Sequence, residues 1–295
     1  MTEPAVPRLE HVMCLDSRGL HRMAYWAWGD PANPRVVVCV HGLSRQGRDF
    51  DALAQDLAAE YRVICPDVVG RGQSDWLADP AGYAIPAYVA DMVTLIARLN
   101  VEQVDWVGTS MGGLIGMGLA SLAGTPVRKL VLNDVGPTIE AAALQRIGGY
   151  LGQPAHWKTL DEAADALWAI SQGFGPHTRE QWLALTRHQL VADEQDGVAG
   201  FKSHYDPAIA LPLRLVTPEL AAAGQALLWQ GWEKITAPTL LLRGAESDLL
   251  SRATAERMTQ TGPKARLHEF AGVGHAPMLV QPDQREVVRR FLLDP

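Results

Sequence analysis

Val104-Asp105-Trp106-Val107-Gly108-Thr109-Ser110-Met111-Gly112-Gly113 passes from an apolar run into a chain of small residues. A helical pattern follows it, so Ser110 falls where a strand must reverse sharply into a helix. This is the G-x-S-x-G pattern of a nucleophile elbow. Side chains at the flanking glycines would crowd the turn that gives the serine strained backbone angles and an exposed hydroxyl. Gly112, Gly113, Gly116 and Gly118 recur in the helix. Each costs about 1 kcal/mol against alanine, a cost explained by close packing of that helix on a sheet.

Outward from the elbow, other segments supply that sheet. Arg35–His41 and Tyr61–Pro66 are almost continuously apolar, as strands buried on both faces of a parallel sheet should be. Between them Phe50, Leu53, Leu57 and Ala58 recur at helical spacing, which gives a strand–helix–strand unit. Ile85–Leu99 predicts a helix with Val89, Met92, Val93, Ile96 and Leu99 on one stripe. Lys129–Asn133, Pro238–Arg243 and Ala265–Phe270 predict further strands, and Asp283–Leu293 a closing helix. At the start, Leu9–Leu15 and His21–Trp28 flank the turn Asp16-Ser17-Arg18-Gly19 as an antiparallel hairpin.

One interval breaks the alternation. From about Pro137 to Glu233 there is no buried-strand run, but helical patterns at Leu160–Ser171, Arg179–Val191 and Pro218–Trp232 predict a helical insertion. Five of the nine tryptophans lie there: Trp157, Trp168, Trp182, Trp229 and Trp232. Most are expected in the insertion's own core, with one or two lining a pocket, where ligand sites are apolar and aromatic.

Composition narrows the partners. A net charge of −7 carries no basic footprint for nucleic acid or an anionic membrane. No apolar run approaches the ~18 residues of a membrane helix. The opening Met1-Thr-Glu-Pro-Ala-Val-Pro7 lacks the basic head and apolar core of a signal peptide, so a cytoplasmic location is expected. Cys14, Cys39 and Cys65 fall in apolar runs without metal-ligand spacing, which reads as buried thiols in a reducing compartment. The expected partner is a small molecule, and the sequence is silent on oligomeric state.

A serine hydroxyl needs a general base, itself oriented by a carboxylate. Arg243-Gly-Ala-Glu-Ser-Asp248 follows one predicted strand and Ala271-Gly-Val-Gly-His275 follows the last, so Asp248 and His275 leave the sheet at the same edge as Ser110. Asp134 directly follows the strand Lys129–Asn133.

The ordered set Val40-His41-Gly42-Leu43, Asp67-Val-Val-Gly70-Arg-Gly72-Gln-Ser74, the Ser110 elbow, Gly244-Ala-Glu-Ser-Asp248 and Gly272-Val-Gly-His275 resembles the α/β-hydrolase family. The resemblance covers roughly residues 20 to 292. It implies an α/β fold: a mostly parallel eight-stranded sheet flanked by helices, with a core of residues 1–136 and 234–295 and an inserted helical cap, 137–233. By the same resemblance Ser110 is the nucleophile, His275 the general acid and base, and Asp248, which follows the usual pattern, the carboxylate. Asp134 is then a strand-end group bonding backbone, since only some family members take the acid from that strand. The N–H groups of Leu43 and Met111 form the oxyanion hole. His41, Arg45, Trp182 and Trp229 are the expected substrate contacts, and Asp67–Ser74 builds a turn under the His41 loop.

The resemblance implies a carboxylic ester hydrolase working through an acyl-enzyme on a small-molecule acyl substrate, with no metal and no organic cofactor. Dehalogenases and epoxide hydrolases of this fold carry a carboxylate where this chain has Ser110. Hydrolases of carbon–carbon bonds and of enol-lactones in aromatic degradation share the triad and remain rivals; their acidic substrates call for a cation, which Arg45 or Arg48 would supply. A hydrolase-fold binding protein without turnover is the alternative of another class.

Overall fold

The long runs of Val, Leu, Ile and Cys become the middle strands of one sheet because helices cover both of their faces. The computed structural model describes residues 6–294; most of the opening stretch read for a leader, residues 1–5, lies outside the described residues. In chain order the strands are β1 (Arg8–Asp16), β2 (Gly19–Trp28), β3 (Val36–Val40), β4 (Arg62–Pro66), β5 (Val104–Thr109), β6 (Val127–Asn133), β7 (Leu190–Gln195), β8 (Val198–Ser203), β9 (Thr239–Gly244) and β10 (Arg266–Phe270). The helices are α1 (Asp51–Leu57), α2 (Ile85–Leu99), α3 (Met111–Ala120), α4 (Ala141–Tyr150), α5 (Leu160–Ser171), α6 (Arg179–His188), α7 (Ala210–Arg214), α8 (Pro218–Trp232), α9 (Arg252–Gln260) and α10 (Pro282–Leu293).

Eight strands form the sheet in the order β1-β2-β4-β3-β5-β6-β9-β10. β1 pairs antiparallel with β2 and β2 with β4; every other pairing in the sheet is parallel. The edge strand β1 alternates buried and exposed residues, whereas β3 is buried throughout. Its alternate side chains divide between two cores. Val36, Val38 and Val40 pack with residues of α2 and α3, such as Leu95 and Ile115, while Val37 and Cys39 pack with Leu53 and Leu57 of α1 and Phe291 of α10. That double burial is why the strand reads as an apolar run rather than an alternation. Among the described residues, no helix is long and apolar enough to cross a membrane.

The segment between β6 and β9 carries α4 to α8, and it also contains a β-hairpin that the periodicity does not predict. α6 stops at His188 rather than running on to Val191, and β7 pairs antiparallel with β8 through a turn at Asp196-Gly197. Both turn residues have positive φ, 52° and 77°, the backbone a two-residue hairpin turn requires and the reason Asp-Gly occurs there. The hairpin stays half exposed, so neither strand shows the alternation by which buried strands are recognised. At the other end of the segment α8 packs on α3, and Trp229, Trp232 and Ile235 belong to the core beneath the sheet.

Candidate active site

Ser110 occupies the one-residue gap between β5 and α3 with φ 51° and ψ −114°. Such a backbone costs a non-glycine residue of order 1–3 kcal/mol and persists only where its surroundings fix it. Here the Ser110 N–H donates to the Asn133 carbonyl at 3.0 Å, and the N–H groups of Gly113 and Leu114 donate to the Ser110 carbonyl. A Cβ at Gly108 would lie 2.3 Å from the Gly112 carbonyl oxygen, and one at Gly112 would lie 2.0 Å from that of Val40. Both positions are therefore closed to any side chain. The start of α3 is pressed against the end of β3, and the Ser110 side chain faces the cavity described below.

His275 stands on the loop after β10. Its Nδ1 lies 2.7 Å from Asp134 Oδ2 and its Nε2 lies 3.0 Å from Ser110 Oγ. A carboxylate only accepts, so Nδ1–H donates to Asp134 and Nε2 is left to accept from the serine hydroxyl. Asp134 follows β6 directly, has φ 56°, and is fully buried. It also accepts from the Gly244 N–H at 2.9 Å and the Ser247 hydroxyl at 2.6 Å.

The expectation that Asp248 holds the imidazole is thereby corrected. The Asp248 carboxylate is directed to Arg146 of α4, which forks onto it at 2.6 and 2.9 Å. The cause is the turn after β9, where Ser247 Oγ accepts the N–H groups of Leu249 and Leu250 and donates to Asp134. That turn presents Ser247 inward and leaves Asp248, the next residue, nearly half exposed. Asp134 does bond backbone, as expected of a strand-end group, but it also holds the imidazole and the Ser247 hydroxyl. The sequence carries no signal for Ser247 beyond its place before Asp248. Asn133 ties the assembly together, its Nδ2 donating to Thr109 Oγ1 and to the Pro277 carbonyl.

The loop after β3 passes over the serine. Among the described residues no loop or side-chain group accepts from the N–H of Leu43 or of Met111. His41 does not serve as a free substrate contact, although it borders the cavity. Its Nδ1–H donates to the Gly42 carbonyl at 2.7 Å, its Nε2 accepts the Val68 N–H at 3.0 Å, and burial pushes its pKa down to about 3. It is a neutral strut. The segment Asp67–Ser74 supports this loop as expected: Asp67 accepts the Gly47 N–H, and fully buried Arg71 donates to the Leu43 and Val69 carbonyls and the Tyr88 hydroxyl. Nothing in the sequence pattern singles out Arg71, because a buried arginine is recognised only by its acceptors.

A cavity of about 250 Å³ lies over Ser110 and His275. Its wall is mostly apolar, with Leu43 from the sheet side and Ile147, Leu167, Ile170 and Phe174 from the inserted segment; Arg45 and Arg146 also border it. Arg45 forks onto Asp49 at 2.6 and 2.7 Å, both side chains largely buried. Trp182 and Trp229 do not line this cavity. Trp182 is 3% exposed, donates to the Ala164 carbonyl and meets Trp168 edge-on, in a small core with Leu185 and Met278. Trp229 bonds Thr138 and lies under the Arg257 guanidinium. Trp157 is the tryptophan of the segment that reaches the cavity. Only packing distinguishes them, since all five sit in similar apolar patterns.

Cys14, His21 and Asp91 form a buried group of metal-ligand types. Cys14 on β1 and His21 on β2 put it at the sheet edge, four and three strand spacings or roughly 14–19 Å from β5. His21 Nε2 is already bonded to Asp91 at 3.1 Å, and burial pushes the Cys14 thiol up to about 12, away from the thiolate that a metal takes.

Residues 37–290 match the alpha/beta hydrolase family. A 3-hydroxybutyrate-oligomer hydrolase of Cupriavidus necator is 55% identical over 97% of this chain and 98% of its own length. The Escherichia coli esterase YbfF is 30% identical over 89% of this chain and 94% of its own. The crystal structure of an alpha/beta hydrolase from Novosphingobium aromaticivorans superposes with a TM-score of 0.83 at 34% identity, covering 98% of each chain.

Proposed function

The chain belongs to the α/β-hydrolase family and is a hydrolase, and from that membership we propose a carboxylic ester hydrolase that cleaves short oligoesters of hydroxy acids through an acyl-enzyme on Ser110. One observation carries the mechanism: Asp134, His275 and Ser110 form an unbroken hydrogen-bonded series at 2.7 and 3.0 Å, ending in the cavity. Ser110 Oγ attacks the ester carbonyl as His275 Nε2 takes its proton. The N–H groups of Leu43 and Met111 receive the oxyanion, each such donor contributing roughly 2.7–4 kcal/mol to the transition state. The tetrahedral intermediate collapses, the C–O bond breaks, and His275 returns the proton to the departing alkoxide. Water then enters, gives a proton to Nε2 and attacks the acyl carbon; the bond from the acyl carbon to Ser110 Oγ breaks, the acid leaves, and Nε2 returns the proton to Oγ. Asp134 keeps Nδ1–H in place throughout and balances the imidazolium.

The substrate class rests on the relative named as a 3-hydroxybutyrate-oligomer hydrolase. A small, mostly apolar cavity suits a short acyl unit. We take residues 137–233 as the cap that supplies much of its wall, and three free, buried cysteines agree with a cytoplasmic setting. Arg45 offers an acidic dienoate little, since its charge is already matched by Asp49; the half-exposed Arg146 can meet such a carboxylate as well as that of a hydroxy acid, so the dienoate stays in the test.

The test sets linear 3-hydroxybutyrate dimer and trimer beside p-nitrophenyl butyrate, an enol-lactone and a ring-fission dienoate. Turnover of the esters, its loss in Ser110→Ala, and a single organophosphonate label on Ser110 are expected. A fully active Ser110→Ala protein, or preferential turnover of the dienoate, overturns the reading.

A further inference from the structure

The active site opens on two sides. Besides the cavity over Ser110, an adjoining cleft of about 500 Å³ is lined by Arg146, Asp248 and Glu246, and the two spaces share Arg146, Tyr150, Ile170 and His275. His275 delivers the proton to the leaving alcohol, so the space on its flank is the one the alcohol half enters. In a linear 3-hydroxybutyrate dimer that half is itself 3-hydroxybutyrate, with a free carboxylate only a few bonds from the scissile oxygen.

Two arginines border these spaces among the described residues, and their partners differ. Arg45 and Asp49 are 13% and 7% exposed in their side chains, and Gln189 also donates to Asp49. Separating that pair would leave a buried charge without a counterion, which proteins tolerate poorly. Arg146 and Asp248 are 41% and 45% exposed. Ion pairs so open to water hold little net free energy, so their partners exchange at small cost. A guanidinium reads a carboxylate through a planar fork, and the same fork that Asp248 now fills fits the end of a hydroxy acid.

We infer that Arg146 is the specificity residue for the free carboxylate of the leaving hydroxy acid, with Asp248 as the exchangeable counterion that holds its fork in place between turnovers. The inference rests on the oligoester reading above. No bond is made or broken by Arg146; the substrate carboxylate takes over, or shares, hydrogen bonds that Asp248 accepts in the free enzyme. Ester chemistry remains with Ser110, His275 and Asp134.

The readout is the preference for the free-acid dimer over the same dimer as its terminal methyl ester, taken as a ratio of kcat/KM within each protein. The wild type should prefer the free acid. Arg146→Gln should cut that preference by about tenfold or more, the loss expected for a charge-assisted hydrogen bond to an ionised group. Arg146→Lys should restore part of it, since the charge returns without the fork. Asp248→Asn should raise the preference by removing a competing carboxylate, and it keeps the inference testable if the Arg146 variants fold poorly. A wild type without preference for the free acid, or a ratio unmoved in both Arg146→Gln and Asp248→Asn, overturns the inference and leaves the ester hydrolase standing. Turnover of p-nitrophenyl butyrate but of neither dimer overturns both the inference and the oligoester substrate.

Discussion

Asp134 accepts from His275, Gly244 and Ser247, and Asp248 accepts from Arg146 alone among these groups. Replacing the acid that faces Nδ1 by an amide lets the amide donate to that nitrogen, which moves the proton to Nε2 and removes the base. Asp134→Asn should therefore lower kcat on p-nitrophenyl butyrate by orders of magnitude, towards the ~10⁴-fold known for this change in a serine protease. Asp248→Asn should leave the neutral ester nearly untouched; the opposite ranking, read from the two kcat values, would return the acid to the later loop. His41 makes a separate prediction. Its folded pKa is about 3 against an ordinary 6.5, so between those values the unfolded chain binds a proton that the folded chain does not. Stability from this group is complete above 6.5 and is lost as pH falls towards 3. Asp67 has the opposite sign: burial raises it to about 6, so its contribution falls as pH rises from 3.8 through 6. Urea unfolding across pH 3–6.5 should show His41→Asn losing up to about one proton of positive slope relative to the wild type. Parallel stability curves for the two proteins would refute the neutral strut.

At the scale of elements, the strand-to-helix elbow and the hairpin differ in how much their own residues say. Gly108 is dictated by the backbone of Gly112 and Gly112 by that of Val40, and the second of these contacts presses α3 on β3. The β7–β8 hairpin is announced only by Asp196-Gly197, because strands with two half-exposed faces lack a hydrophobic period. α6 begins with a capping box at Thr178 and Gln181 and buries Trp182 against α5. Truncating a buried tryptophan typically costs ~3–5 kcal/mol. Trp182→Ala should accordingly lower the melting temperature while the acyl-chain preference stays put, whereas Leu167→Ala, which opens the cavity wall, should move that preference to longer chains. Chain-length profiles measured beside melting curves separate the two; a shifted optimum in Trp182→Ala would place that ring in the binding site after all.

Over the whole molecule, the cavity over Ser110 lies where the inserted segment meets the sheet, and under the proposed function that boundary sets substrate size. At about 250 Å³ the cavity sits just below the ~300–1,000 Å³ usual for small-molecule pockets, so it fills early. Each methylene of an acyl chain buried there contributes up to about 0.8 kcal/mol, close to a fourfold gain. In a series of p-nitrophenyl esters kcat/KM should climb through the short acyl chains and fall once the wall formed by Ile147, Leu167 and Phe174 is reached. A monotonic rise to long chains would mean that the segment does not close the cavity.

The sequence alone determined the strands of the main sheet, the elbow and the placement of Ser110 and His275 at one sheet edge, because each is set by local pattern: buried runs, glycines required by backbone contact, and loops following strands. It equally determined that Asp134 and Asp248 both stand at strand ends. Which of them meets the imidazole was decided by the tertiary structure. The side chain of Ser247 turns the β9 loop so that Asp248 faces an arginine from a helix some hundred residues earlier, and Asp134 is left as the carboxylate in reach. The same holds for the tryptophans of the inserted segment and for Arg45 and Arg146. A sequence records that a side chain is apolar or charged, but whether it packs in a core, pairs in the interior or faces a ligand depends on what the rest of the chain brings against it.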